Sequence, residues 1–162
     1  MIARELITND VPPIRSSETV EKALNWLDEF KVNHLAVVDG VEYQGLISEN
    51  ILYDAVSSDI TIAELNLTLN RPFIYEDRHI YEVMKMVSEM QLSIAPILDK
   101  SDNYLGLTTL PSLMHLIANT ASISEPGSVI VLELNQNDYS LGHLAQVIEG
   151  DDTKILSTYI TS

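Results

Sequence analysis

The stretches YQGLISENILY (Tyr43–Tyr53) and YLGLTTLPSLM (Tyr104–Met114) decide the fold, because they are two copies of one pattern. In each copy a glycine follows a tyrosine by two positions, and a short apolar run then ends in a hydroxyl residue, Ser48 or Thr109. Helix-like apolar sequence follows in both copies. A glycine, a strand-like run and a helix start that recur in register indicate an internal duplication.

The duplication extends upstream of both copies at an offset of 60 residues. Apolar residues at helical spacing form the same stripe twice, at Val20, Ala23, Leu24, Leu27 and Phe30 and at Ile80, Val83, Met84, Val87 and Met90. The β-type runs HLAVVD (34–39) and IAPILD (94–99) come next. The sequence therefore predicts an α/β (α+β) fold with the unit β-α-β-β-α written twice. We expect strands near 34–39, 44–48, 94–99 and 104–109, and helices over 49–56 and 110–120.

This ordered set resembles a tandem pair of CBS (cystathionine-β-synthase-type) domains, also called a Bateman module. The resemblance covers residues 2–120 and includes the first strands VPPI (11–14) and RPFI (71–74). It implies one CBS domain over 2–60 and a second over 61–122, packed pseudo-symmetrically through their sheets.

The pattern changes near Glu125, where Pro126 and Gly127 mark a linker. The following sequence predicts a strand over 128–134, a helix with Leu141, Leu144, Ala145 and Ile148 on one face, and a strand over 153–160. Residues 126–162 resemble the first half of an ACT domain. The whole chain thus resembles bacterial CBS–CBS–ACT proteins grouped with acetoin-utilisation regulators. We expect this half-domain either to be truncated or to be completed by another subunit, because it exposes strand edges.

The composition restricts the class of partner. The chain has a net charge of -15, with 9 basic residues against 24 acidic ones, so nucleic acid and anionic membrane surfaces are not expected partners. No apolar run approaches the ~20 residues that span a bilayer. Charges interrupt the N-terminal MIARELITND, and the chain has no cysteine, which together predict a cytoplasmic protein without disulfides.

Catalytic chemistry has no signature in this sequence. The four histidines are not paired at metal-ligand spacing, and there is no G-x-S-x-G elbow, G-x-G-x-x-G motif or Walker-type loop. We therefore expect no catalytic and no metal-binding residues, and a protein that is not an enzyme. Two interpretations stay open: a small-molecule-sensing regulatory module, and a ligand-free structural dimerisation module.

The resemblance implies an adenosine-containing ligand in the clefts between the CBS units, such as AMP, ADP, ATP or S-adenosylmethionine. The implied ligand-binding residues are Ala36, Ser48, Asn50, Arg71, Pro72, Pro96, Thr109 and Ser112. The family pattern has an aspartate three residues after the hydroxyl residue, where it accepts hydrogen bonds from ribose. Here those positions hold Ile51 and Ser112, so we expect weakened ribose recognition. Placing aspartate at Ser112 is expected to strengthen it.

Two expectations concern assembly and site location. The cleft with Thr109, Pro96 and Arg71 is favoured for a nucleotide, because it keeps the family's proline and has a nearby cation. The chain is expected to be a homodimer that meets through apolar helix surface, at Trp26, Leu27, Phe30, Met86 and Met90.

Overall fold

The computed structural model describes residues 1–66, 68–120, 125–135, 140–151 and 153–160. The chain forms two compact units, Met1–Met114 and His115–Ser162. The strands are β1 (His34–Asp39), β2 (Glu42–Ser48), β3 (Ile74–Tyr75), β4 (Ile94–Leu98) and β5 (Tyr104–Thr109). The helices are α1 (Val20–Phe30), α2 (Glu49–Tyr53), α3 (Ile80–Glu89), α4 (Leu110–Thr120) and α5 (Leu141–Ile148).

The predicted duplication is confirmed by the pairing of the strands. β1 pairs antiparallel with β2, and β4 pairs antiparallel with β5. β3 runs parallel to β4, and the single bridge between Ile14 and Val37 is its parallel counterpart in the first half. The register shifts between Val37 and Val38 and again 60 residues later between Ile97 and Leu98. Even the local irregularity of the sheet is therefore repeated.

Both long helices of the first unit form because an apolar stripe faces the sheets. In α1 the Thr19 hydroxyl accepts a hydrogen bond from the Lys22 backbone N–H and caps the first turn. The buried positions recur at the same offset in α1 and α3: Val20, Ala23 and Leu27, then Ile80, Val83 and Val87. Burying one such valine, leucine or isoleucine contributes about 1.5–3 kcal/mol.

The two halves share one hydrophobic core. It contains residues from both repeats: Val11, Ile14, Val20, Ala23, Leu27, Val32, Leu35, Ala36, Val37, Val38, Tyr43, Leu46, Ile47, Leu52, Ile62, Leu92, Ile94, Leu98 and Leu107. Neither half could be removed without exposing apolar side chains of the other.

Each half also receives a strand segment from the other half. The Thr8 N–H donates to the Leu107 carbonyl at 2.9 Å, so the chain's start pairs with β5 of the second repeat. The Leu46 N–H donates to the Asn70 carbonyl at 2.8 Å, so the segment before the second repeat pairs with β2 of the first. The two repeats thus exchange their leading segments.

This exchange explains the two glycines of the repeated stretch. A Cβ atom at Gly45 would lie 2.6 Å from the Leu69 Cβ and 2.7 Å from the Asn70 carbonyl oxygen. A Cβ atom at Gly106 would lie 2.5 Å from the Ile7 Cγ2. Such distances are shorter than carbon atoms tolerate, so only glycine lets the exchanged segment cross the strand.

The halves also meet at a polar junction around His34. The Asn33 N–H donates to the Ser93 Oγ at 3.0 Å, and the Ser93 N–H donates to the His34 Nδ1 at 3.3 Å. Burial lowers the pKa of the His34 imidazole below its usual value of 6.5. Because Nδ1 accepts a hydrogen bond, the neutral imidazole is the form that fits this junction.

The C-terminal unit differs in part from expectation. The predicted helix is present as α5, capped by the Ser140 hydroxyl. The strands predicted over 128–134 and 153–160 are wrong for this structure, in which those residues are not in strands. A strand needs a neighbour for its backbone N–H and C=O groups, and the described part of this unit has no ladder to which either segment could pair. The side chains of Val129 and Val131 are accordingly 90% and 88% exposed.

The apolar helix surface predicted for a dimer is smaller than expected. Leu27 is buried, and Trp26, Phe30 and Met86 are partly buried against the shared core. Trp26 is further covered by the Lys22 ammonium, which lies 5.0 Å from its ring. Met90 is the member of the predicted set that remains exposed. The helical period identified this face, but part of the face is needed for the chain's own core.

The exchanged segments lead to a prediction about Gly45 and Gly106. Gly45→Ala should lower the free energy of unfolding by about 1–3 kcal/mol, and more than Gly106→Ala does, because its methyl group meets a backbone oxygen. The Gly106→Ala loss should shrink when Ile7→Ala removes the clashing methyl group. Urea denaturation measures all three effects. The crossing geometry would be contradicted if Gly45→Ala and Gly106→Ala lowered the free energy of unfolding equally and if adding Ile7→Ala did not reduce the Gly106→Ala loss.

The His34 junction leads to a prediction about pH. Because the folded-state pKa of His34 is lowered, its neutral form supports stability above about pH 6.5, and this support is lost as the pH falls towards the folded-state pKa. Between pH 7.5 and 5.5 the wild type should therefore lose more thermal stability than His34→Gln. Identical pH dependence of the two melting temperatures would rule out a role for this histidine.

Candidate ligand-binding clefts

The predicted site residues lie at two opposite ends of the strands. Tyr43 and Tyr104, near the starts of β2 and β5, stack on each other with ring centroids 6.2 Å apart. Ser48 and Thr109 are the last residues of the same two strands. Tyr104 and Thr109 lie five residue steps apart along β5, about 16 Å at the usual rise per residue. A residue beside the tyrosine pair is therefore far from the hydroxyl residues.

The tyrosine end carries a cleft of about 430 Å³, which we call the Arg71 cleft. It is lined by Ser16, Val37, Asp39, Gln44, Ile62, Ala63, Leu65, Asn66, Thr68, Leu69 and Arg71. The Arg71 guanidinium carbon lies 5.8 Å from the centre of the Tyr43 ring. One carboxylate oxygen of Asp39 is already hydrogen-bonded within the protein, because its Oδ1 accepts a hydrogen bond from the Ser16 N–H at 3.1 Å. The cleft thus combines the Arg71 cation and the Asp39 carboxylate with hydroxyl and amide groups.

Tyr43 fixes the backbone at the edge of this cleft. Its hydroxyl donates to the Pro72 carbonyl at 2.9 Å. Burial raises the pKa of Tyr43 far above its usual value, so the phenol keeps its proton and remains a donor. The Pro72 carbonyl is therefore already hydrogen-bonded within the protein, although the sequence predicted Pro72 as a ligand contact.

The opposite end of β5 holds a second polar group, which we call the Asp10 cluster: Asp10, Thr109 and Ser112. The Thr109 Oγ1 accepts the Ser112 N–H at 3.2 Å and donates to the Ser112 Oγ at 2.9 Å. The Ser112 Oγ in turn donates to the Asp10 Oδ2 at 3.3 Å. Thr109 and Ser112 were predicted as site residues, whereas Asp10 was not.

The corresponding position in the first repeat is different. Ser48 precedes α2 but makes no capping hydrogen bond with its side chain. Asn50 is exposed on the first turn of α2. Ala36 is fully buried in β1, and Pro96 is buried in β4 opposite Leu107. The side chains of Ala36 and Pro96 thus form part of the packed interior.

The sequence predicted that Arg71, Thr109 and Pro96 share one cleft, but in the structure Arg71 lies elsewhere. Arg71 lies beside Tyr43 and would touch a Cβ atom on Gly45 at 3.3 Å, so it belongs with β2 of the first repeat. Thr109 lies at the far end of β5. By the 60-residue offset, Arg71 belongs to the second repeat. The exchange of leading segments nevertheless places it beside β2 of the first repeat.

No group of three or more His, Cys, Asp or Glu side chains in the described residues could hold a metal ion. No helix in the described ranges is long and apolar enough to cross a bilayer.

The fold agrees with the comparisons with known proteins. Residues 3–58 match the family model of the CBS domain. This match covers the first repeat, and the two repeats together have the fold of a CBS-domain pair. The domain limits 2–60, 61–122 and 126–162 stay a proposal.

Three solved structures illustrate the likeness. A CBS domain pair/ACT domain protein from Thermotoga maritima is 21% identical, with a TM-score of 0.65 over 74% of this chain and 98% of its own. A putative acetoin utilization protein from Vibrio cholerae is 14% identical, with a TM-score of 0.65 over 80% of this chain and 98% of its own. CBSX2, solved in complex with AMP, is 17% identical, with a TM-score of 0.61 over 73% of this chain and 96% of its own.

A curated relative is also similar to the paired domains. Homoserine O-acetyltransferase of Methanobrevibacter ruminantium is 23% identical over 119 residues, which are 73% of this chain. The match spans only 24% of that relative's length. This similarity therefore carries no argument for acetyltransferase activity.

Proposed function

We propose that the chain is a non-enzymatic, cytoplasmic regulatory module that binds an adenosine-containing ligand, with a phosphorylated ligand held in the Arg71 cleft. The observation that carries the proposal is the cleft itself. Its volume of about 430 Å³ falls in the range of small-molecule sites, and Arg71 supplies a cation at its wall. A guanidinium matches the geometry of phosphate oxygens. The AMP complex of CBSX2, which shares the fold, supports a nucleotide ligand.

The charge of the chain limits which nucleotide suits this cleft. With a net charge of -15, the protein repels anions at long range, and the repulsion grows with the charge of the ligand. One guanidinium offsets this repulsion better for a monophosphate than for a triphosphate. AMP is therefore expected to bind more tightly than ATP at low salt, with S-adenosylmethionine as the comparison that lacks phosphate.

A second candidate function is structural dimerisation without a ligand. The exposed apolar side chains favour it, among them Tyr53 and Tyr81 of the first unit and Val129 and Val131 of the C-terminal unit. A second copy could also supply strand partners for 128–134 and 153–160, completing an ACT-like sheet. Light scattering that gives a dimer mass without nucleotide would support this function, and a monomer at tens of micromolar would oppose it.

A ligand titration tests the primary proposal. A ligand at 100 times its dissociation constant adds about 2.7 kcal/mol to the free energy of unfolding, so the melting temperature should rise with AMP. Arg71→Ala should weaken AMP binding about tenfold or more, because a charged hydrogen bond to phosphate is lost. Ser48→Ala should have a smaller effect. Calorimetry gives the affinities.

Lys85→Ala is the matched control. Lys85 is an exposed cation on α3 that lies 3.9 Å from Glu89, so this variant changes the net charge equally but leaves the Arg71 cleft intact. Tight AMP binding that is equally strong in Arg71→Ala and Lys85→Ala would refute the assignment of phosphate to Arg71. If no adenosine compound stabilises the protein, the dimerisation module becomes the better account.

A further inference from the structure

The polar junction around His34 extends beyond the two loops that form it, because each loop also holds the start of a helix. The Asn33 carbonyl accepts a hydrogen bond at 3.0 Å from the Glu49 N–H, the first of α2. The Ser93 carbonyl accepts one at 3.0 Å from the Leu110 N–H, the first of α4. The residues that join the two repeats therefore also fix the first turns of the helices that follow β2 and β5.

The hydrogen bonds of the junction form a continuous path between these two helix starts. From α2 the path enters the Asn33 carbonyl, and the Asn33 N–H continues it to the Ser93 Oγ at 3.0 Å. From Ser93 it leaves through the backbone carbonyl to α4. The Ser93 backbone is held in the middle of this path, because its N–H donates to the His34 Nδ1 at 3.3 Å. The state of the imidazole therefore acts on the residue that connects the two repeats.

The duplication supplies a titratable group on only one side of the junction. The residue 60 positions after His34 is Ile94, whose side chain is fully buried. His34 is half-buried, and burial lowers its pKa below the usual value of 6.5. A single proton therefore changes the charge of the whole junction.

The charged groups of the adjoining elements do not stabilise the imidazolium. Ser48, which pairs with His34 from β2, and Ser93 are both uncharged. Burial is the whole cause of the lowered pKa of His34, with no contribution from a charged neighbour. The charged and titratable residues nearest to the junction along the adjoining helices are Asp28, Glu29 and Lys31 at the end of α1, Glu49 on α2, Glu89 at the end of α3 and His115 on α4.

We infer that the His34 junction is a proton-responsive link that couples the start of α2 to the start of α4. While the imidazole is neutral, its Nδ1 accepts the Ser93 N–H and the path of hydrogen bonds is complete. A proton on Nδ1 turns this acceptor into a donor that faces the Ser93 N–H, so the backbone donor loses its partner. The loop at Ser93 then shifts, and its hydrogen bonds to Asn33 and Leu110 weaken together. The link is complete above about pH 6.5 and opens as the pH falls through the folded-state pKa.

This link gives the module a response that needs no ligand in the Arg71 cleft. The two helices follow Ser48 and Thr109, the hydroxyl residues of the duplicated stretch. Acidification loosens both helix starts together, although they belong to different repeats. The junction uses none of the residues that line the Arg71 cleft, so this inference and the proposed function can fail separately.

Hydrogen exchange of the full chain, measured by NMR without nucleotide, tests the inference. Exchange is followed from about pH 7.5 to about pH 5 and expressed relative to an unfolded chain at the same pH, which removes the direct effect of pH. The protection of the Glu49 and Leu110 amides should fall about tenfold, since one hydrogen bond at each is weakened. Both amides should share the midpoint at which the His34 imidazole signals titrate, below pH 6.5.

Two histidine variants provide the matched controls. His34→Gln removes the titratable group, so the protection of both amides should no longer depend on pH. His115→Gln removes an exposed histidine from α4 itself, where it is hydrogen-bonded to Asn119. Because His115 is not part of the junction, this variant should respond like the wild type.

Ser93→Ala separates a link from a general loss of stability. The variant removes the Oγ that accepts the Asn33 N–H but keeps the backbone N–H that donates to His34. The Leu110 amide should therefore still respond to pH, whereas the Glu49 amide should not. A protein that is only less stable at low pH would show the same response at both amides.

The outcomes decide the inference on its own. A common midpoint at Glu49 and Leu110 that is lost in His34→Gln, with the two responses separated by Ser93→Ala, supports the link. Different midpoints, a pH dependence that persists in His34→Gln, or a joint response in Ser93→Ala would each refute it. Because no nucleotide is present, such a refutation leaves the proposal for the Arg71 cleft untouched.

Discussion

The reciprocal crossing of two short segments is the constraint on which the rest of the first unit depends. Ile7 and Thr8 lie across β5, and Leu69 and Asn70 lie across β2, each against a glycine. Without these crossings each two-stranded hairpin would expose an edge, and a lone hairpin is only marginally stable in water. With them, each repeat closes the sheet of the other and the two share a core. The duplicated glycines are thus first of all a packing requirement.

The same crossing determines which side chains can meet in a cleft. It carries Arg71 away from the second repeat and sets it beside Tyr43 of the first. It also carries Asp10 from the first repeat to Ser112 of the second. A cation and a carboxylate are therefore exchanged along with the backbone. Two sequence copies that look alike thus have different charged groups beside them.

The segments that connect each crossing to the next strand differ in length between the repeats. Between the crossing and the next strand the first connection is two residue steps longer than the second, and Asp10 lies in the extra length. Evolution of a duplicated module can change such loops without disturbing the shared core, because loops at the surface tolerate insertion. The shared core can thus keep the architecture while the loops differ between the repeats.

The sequence predicted the regular elements well because local patterns specify them. The strands over 34–39 and 104–109 and the helix over 110–120 have the predicted bounds. The candidate site residues were predicted less well. Which side chains line the same cleft depends on how the leading segments cross between the repeats, and the 60-residue offset gives no information about that crossing. Asp10 gave no signal in the sequence, where the offset of 60 residues aligns it with Asn70. The strands at 128–134 and 153–160 failed for a related reason, since strand formation needs a partner that the apolar pattern does not supply.

Residue-resolved hydrogen exchange of the unmodified chain tests the crossing most directly. The Thr8 and Leu46 amides donate to Leu107 and Asn70, so both should exchange about as slowly as the amides in the middle of β1 and β4. Such protection would mean that both leading segments open only together with the core. Exchange of the Thr8 amide at the rate of an unstructured tail, with β4 and β5 still protected, would contradict the account.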